Sequence, residues 1–244
     1  MTSTTACALL YGDYSDLAER CLSSLWRHFP PSMIRIWANA PGSQTVAYLG
    51  DLVRRGYLLK EQTFVSTENI LKYPAMRHLF YGSEHVKLPP IATKHVMWLD
   101  DDSYIHADAG GDWLASVEAA IGDAVMLGSM YRLRDPLTKN QQAWVKDQPW
   151  YTGKPVDDIP EFLQGAWWLA KTEFLTEFGW PIGDLRHNGG DVMLGVLARQ
   201  QRRTLKHWRN KVGINADKDG RESRAKRRGT SEPPVGSNHK RGRT

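Results

Sequence analysis

Cysteine is scarce in this chain of 244 residues, with Cys7 and Cys21 the only two. Two thiols at that spacing make neither a disulfide framework nor a zinc site, and they read as small core residues. No run approaches the roughly 18 consecutive apolar residues that a membrane-spanning helix needs. Met1 to Thr5 lacks the basic stretch that opens a secretory signal peptide. The expectation is a soluble intracellular protein, cytoplasmic, or in the host cytoplasm if the source is viral. No internal repeat is visible, so repeat architectures are set aside. Core-forming residues nearly vanish after about Trp208, and residues 213–244 are rich in Lys, Arg, Gly, Ser and Pro. Such a composition is expected to be disordered or to order only over a ligand.

Acidic residues are also few at that end. Residues 199–244 hold 15 Lys/Arg against 4 Asp/Glu, a net of +11, whereas residues 1–198 hold 17 against 23, a net of −6. An acidic body with a basic tail points to an anionic partner for the tail: a diphosphate, a nucleic acid or an anionic membrane surface.

What is present is a globular composition, 41% hydrophobic with 10 Trp, in segments that alternate between strand and helix patterns. Ala6 to Tyr11 reads as a buried strand ended by Gly12-Asp13. Ser15 is placed to cap a helix over Asp16 to His28, with Leu17, Cys21, Leu22 and Leu25 on one face. Met33 to Ala38 reads as a second strand. A helix over Ser43 to Arg55 follows, with Val46, Leu49 and Val53 on one side. Tyr57 to Val65 reads as a third strand, followed by a polar loop and helix to about Tyr81. Val96 to Leu99 is a fourth strand running into Asp100-Asp101-Asp102. Later, Val125 to Tyr131 reads as a strand, 132–160 as loop, and Phe162 to Ala170 as strand or buried turn. Lys171 to Phe178 reads as a short helix, and Gly189-Gly190-Asp191 opens another. This alternation predicts an α/β fold, a mainly parallel central sheet with helices on both faces. In such sheets ligands bind at the carboxyl ends of the strands, which gathers Tyr11–Asp13, Asn39 and Asp100–Asp102.

Three adjacent carboxylates ending an apolar strand repel one another unless water or a cation screens them. Side chains alternate along a strand, so Asp100 and Asp102 are expected on one side. Two convergent carboxylates with open positions suit Mg²⁺ or Mn²⁺ shared with phosphates. The plainer alternative is a solvated acidic turn.

The order of segments resembles family-two glycosyltransferases of the GT-A fold, over roughly residues 6–208. The pieces are Leu9 to Tyr14 with the helix after it; Glu68 to Arg77, like the family's Asn-to-Ala-Arg segment; Val96 to Ser103, like a strand ending in a DxD motif; Phe162 to Ala170 with Phe178-Gly179-Trp180, like its acceptor-side segment; and Gly189-Gly190-Asp191 with Leu194-Gly195, in the place of its late acidic motif. The resemblance implies a nucleotide-diphospho-sugar transferase fold with a catalytic domain over 1–208 and a basic, flexible extension over 209–244. It implies a nucleotide-sugar donor, a UDP-sugar by family habit, with Mn²⁺ or Mg²⁺.

By position, Asp102 would ligate the metal, and Asp100 would contact the ribose or reach the metal, with Asp101 in the same donor-binding set. Tyr11, Asp13 and Asn39 would line the nucleoside pocket, although the family usually has an acidic residue where Asn39 stands. Arg77 would face the diphosphate, or else be a surface helix arginine. Asp191 would be the general base of an inverting reaction, taking the proton from the acceptor hydroxyl; its plainer reading is a carboxylate favoured by a helix N-terminus. The glycines before it suit a close approach of backbone to sugar or acceptor. His207 is a candidate further metal ligand or a structural histidine, with His187 and His239 as weaker competitors. Of Trp167 and Trp168, one is expected to face the site.

The acceptor is open. The tail's charge and the lack of an anchor fit phage-type enzymes that glycosylate hydroxymethylated pyrimidines in DNA, since clustered Lys/Arg gain from counterion release; protein, polysaccharide and lipid-linked acceptors also remain. The tail could equally solubilise the chain or close over the diphosphate. Two other classes compete: a two-metal nuclease or nucleotidyltransferase using Asp100, Asp102 and Asp191, and a non-catalytic nucleic-acid-binding module.

Overall fold

The computed structural model describes residues 3–83, 86–186 and 189–214. Its centre is a seven-stranded sheet in the order β3-β2-β1-β4-β7-β6-β8, built from β1 (Thr4–Tyr11), β2 (Ile34–Asn39), β3 (Thr63–Ser66), β4 (His95–Asp100), β6 (Met126–Arg132), β7 (Glu161–Lys171) and β8 (Leu205–His207). Six of these strands run one way; only β7 is antiparallel to its neighbours β4 and β6. A short hairpin-like pair, β5 (Ser103–Ile105) with β9 (Val212–Ile214), stands beside the end of β4.

The central strands are buried on both faces, which is why their sequences are continuous apolar runs and not alternating ones. Alternation appears instead as a division between two cores. Ala6, Ala8, Leu10, Met97 and Leu99 face α1 (Ser15–Leu25), α2 (Ser43–Arg54) and α4 (Trp113–Ile121). Cys7, Leu9, Val96 and Trp98 face α3 (Lys72–Tyr81), α5 (Lys139–Lys146), α6 (Thr172–Glu177) and α7 (Gly190–Gln200). The α/β class and mostly parallel sheet expected from the sequence are therefore what the chain forms. Among the described residues, no helix is long and apolar enough to cross a membrane.

Several local expectations are corrected. Ser15 does not cap α1: it lies inside the first turn, the cap position is Tyr14, and the Ser15 hydroxyl donates to Gln44 Oε1 at 3.1 Å. The buried face of α2 is Thr45, Leu49 and Leu52; Leu49 is buried as expected and Val53 packs part-buried against the same core, while Val46 is exposed. The third strand is only Thr63–Ser66. The stretch 132–160 contains α5, opened by a capping box in which Thr138 and Gln141 satisfy each other's backbone N–H groups. Elements α4, β5, β8 and β9 were not anticipated; the three strands have only three residues each, too short for periodicity to show.

Candidate functional site

The acidic run sits where the parallel strands end. β4 stops at Asp100 and the next two residues form a turn into β5, so strand alternation does not carry through to Asp102. The carboxylates take separate surroundings. Asp100 is held on both oxygens: Lys72 Nζ lies 2.8 Å from Oδ2, and Trp98 Nε1 donates to Oδ1 at 2.9 Å. Asp101, 1% exposed, accepts the Tyr11 backbone N–H at 2.9 Å and donates its own N–H to the Leu9 carbonyl at 3.0 Å, which extends the β1–β4 ladder. Asp102 is half-buried.

Beside this turn, the ends of β1 and β2 carry a hydrogen-bonded amide chain. Asn69 Nδ2 donates to the Tyr11 hydroxyl at 2.8 Å, Asn39 Nδ2 donates to Asn69 Oδ1 at 2.6 Å, and Asn39 Oδ1 accepts the Ile70 N–H at 2.8 Å. Tyr11 and Asn39 are thus joined through Asn69. The exposed Asp13 lies against Gly42 at the start of α2, where a Cβ would overlap its carboxylate. The Gly42 N–H donates to the Gly12 carbonyl at 3.1 Å, so these two strand-to-helix turns are fastened together. Ala40 and Leu71 have φ of 48° and 72°. Non-glycine residues occupy that region only when their surroundings hold them there, and such strain collects at functional sites.

The third component is Lys72, the first residue of α3. It is buried, and its ammonium also donates to the Gly165 carbonyl at 2.7 Å. Gly165 belongs to β7 where the β6–β7 register slips, Gly128 pairing with Trp168 but Met130 with Leu163. A bulge of this kind redirects a strand next to a site. A Cβ on Gly165 would stand 3.1 Å from Lys72 Nζ and 3.5 Å from Asp191 Oδ2. Asp191 enters from the first turn of α7, whose N-cap Gly189 has φ of 83°. Its carboxylate accepts the Val192 N–H at 3.0 Å and the Gly165 N–H. Burial raises the Asp191 carboxyl above its ordinary range, against the opposing pull of Lys72 and those N–H donors. Gly190 is dictated by Tyr73, since a Cβ there would lie inside the Tyr73 ring. The close approach expected at these glycines is therefore made by a tyrosine of α3. Burial, and then the nearby Asp191 and Asp100 carboxylates, push the Tyr73 phenol well above its usual range. Beneath Lys72, Tyr73, Gly165 and Asp191 lies a cavity of about 10 Å³, the scale of one water.

Other predicted residues lie elsewhere. Arg77, five positions after Lys72 and so about 140° around the helix, is exposed and donates to the carbonyls of Pro181 at 2.8 Å and Gly179 at 3.3 Å. It fastens the loop after α6 and does not join the acidic turn. His207 is on β8, in register through Gly128 and Trp168 with Trp98. Three strand spacings place it about 14 Å from β4, and its Nδ1 accepts the Met130 N–H at 3.1 Å. Trp167 and Trp168 are both core residues, one in each cluster, with Trp168 stacked on Trp98 at 6.2 Å and Trp167 against Trp208 at 5.7 Å. Neither offers a free ring. His187, His239 and the basic run Arg224 to Arg228 lie outside the described residues. β9 pairs Ile214 with Ser103, the residue after Asp102.

Lys72 and Asn69 were missed as site residues, although both fall in the Glu68–Arg77 segment singled out in the sequence. Among the described residues, no three His, Cys, Asp or Glu side chains converge as a metal cage. One carboxylate shared with substrate phosphates remains compatible with Mg²⁺ or Mn²⁺ chemistry.

No family model matches the chain, and no curated protein matches it in sequence. Solved structures match it in fold. The mannosyltransferase PcManGT from Pyrobaculum calidifontis, in complex with GDP-Man and Mn²⁺, aligns with a TM-score of 0.54 and 13% identity, over 93% of this chain and 60% of that one. TarS residues 1–349 from S. aureus align at 0.50 and 11% identity, over 85% of this chain and 58% of that one. The chain therefore spans about three fifths of the length of these neighbours. At such identities the likeness is one of fold, and the fold is the glycosyltransferase GT-A arrangement.

Proposed function

We propose that the chain is a nucleotide-sugar-dependent glycosyltransferase, with the donor lying across the carboxyl ends of β1, β2 and β4. The observation that carries this reading is one convergence. Tyr11 and Asn39, the acidic turn, and Asp191 come from four separate elements and meet at one end of the sheet. That is the end where ligands bind in such folds. Tyr11, Asn39 and Asn69 form the nucleoside side. A UDP-sugar is the donor first tested, with GDP-mannose beside it because that ligand accompanies the Pyrobaculum neighbour.

Asp191 accepts the proton of an acceptor hydroxyl while that oxygen bonds to the anomeric carbon. The bond from that carbon to the diphosphate oxygen breaks, the nucleoside diphosphate leaves, and configuration inverts. Asp102 would hold a Mn²⁺ or Mg²⁺ jointly with the diphosphate, and the ion would offset charge growing on the leaving group. Asp100 acts from behind, already neutralised by Lys72.

The test is nucleoside diphosphate release from a panel of nucleotide-sugars, with Mn²⁺ or EDTA, using the wild type, Asp102→Ala and Asp191→Asn. Release that needs the ion and is lost in both variants supports the reading; no release with any donor overturns it. The DNA acceptor suggested by the tail's charge enters as an added arm. Stimulation by hydroxymethylated DNA, and not by unmodified DNA, would identify that acceptor.

A further inference from the structure

We propose that Lys72 is a positioning residue whose single buried ammonium ties the acidic turn after β4 to Gly165 of β7 and to Asp191 of α7. This rests on the transferase reading above, and it assigns a role that no residue in the sequence motifs carries. Three observations meet at Lys72. Its Nζ is 2.8 Å from Asp100 Oδ2 and 2.7 Å from the Gly165 carbonyl. Gly165 in turn faces Asp191 Oδ2 and gives that carboxylate a backbone N–H. The segment that carries Lys72 is clamped from the nucleoside side, because Asn39 accepts the Ile70 N–H and Asn69 Oδ1 accepts the Leu71 N–H at 2.9 Å. Leu71 is held at a positive φ between those clamps and Lys72.

The chemistry follows from this wiring. The groups facing Asp191 are Lys72 and Tyr73 from α3, the Gly165 N–H from β7 and the Val192 N–H of its own helix. Lys72 is the one cation among them. Its charge opposes the burial that raises the Asp191 carboxyl, and its 2.8 Å contact with Oδ2 holds Asp100 inward. Asn39, Asn69 and Lys72 are thereby joined through one short segment.

The experiment uses the full chain with ¹³C-labelled aspartate carboxyls. The Asp191 signal is identified from its loss in Asp191→Asn. Lys72→Met should move the Asp191 titration midpoint to higher pH, and Lys72→Arg should bring it back toward the wild type. Where Lys72→Met does not fold, Lys72→Met/Asp100→Asn read against Asp100→Asn isolates the same charge. With the active donor, Lys72→Met should lower kcat on the order of 10²-fold, as expected for a misplaced reacting group, while the donor KM changes little. A midpoint that stays put in a folded variant, or a loss confined to donor KM, overturns the proposal. If the wild type transfers no sugar, the transferase reading fails, and the carboxyl midpoint still decides the role of Lys72.

Discussion

Breaking the Lys72–Asp100 pair should cost more than breaking any other ion pair among the described residues. The two side chains are only 9% and 11% exposed, with N and O 2.8 Å apart. At that distance and an effective dielectric constant of about 20, the gross attraction is roughly 6 kcal/mol. The net value is far smaller because both charges were desolvated. Removing one partner, however, strands the other, and that typically costs about 3–5 kcal/mol. Lys72→Met leaves Asp100 with the Trp98 N–H alone, so a loss in that range is expected. For a domain of this size it corresponds to a drop in Tm on the order of 10 °C. Lys72→Met/Asp100→Asn should recover most of the loss, since no buried charge is left unpaired. The check is a double-mutant cycle from denaturant unfolding at low and high salt. Burial predicts little salt dependence. Additive single effects, or a pair weakened strongly by salt, would refute the reasoning.

Asp191→Asn should raise Tm at neutral pH while abolishing transfer. Burial lifts the folded carboxyl above its unfolded value, so its stabilising increment is full below an unfolded pKa of about 3.9 and is lost as pH rises through the raised folded value. The variant's advantage should therefore shrink as pH falls, and the acid limb of wild-type activity should lie above the ordinary carboxylate range; a stability difference independent of pH would contradict this. Gly190→Ala should cost about 1–3 kcal/mol by forcing the buried Tyr73 ring aside, measured by thermal unfolding. Arg77→Ala should change activity less than about twofold and stability by about 1 kcal/mol or less, because Arg77 is exposed and bonds two loop carbonyls. A large rise in donor KM would instead return Arg77 to the diphosphate.

The site's plan was legible where it depended on neighbours in sequence. The apolar run ending in Asp100-Asp101-Asp102, the Gly189-Gly190-Asp191 helix start and the Tyr11 and Asn39 strand ends could be read from local pattern, because burial in a parallel sheet demands continuous apolar strands and their ends collect polar groups. The DxD spacing suggested two carboxylates on one side, but the strand stops at Asp100 and the turn after it obeys no alternation.

The sequence by itself determined the class of fold and the place of the acidic run at a strand end, since hydrophobic period is a local property of residues. Only the tertiary structure decided how those parts act together. Lys72, 28 residues from Asp100 and 93 from Gly165, is an ordinary lysine until the sheet brings those partners within 3 Å. Arg77, five residues on, is turned away by the helix. Which of two nearby cations becomes the buried one is fixed by helix phase, the bulge in β7 and the desolvation around Asp100, none of which has a signature in the order of residues.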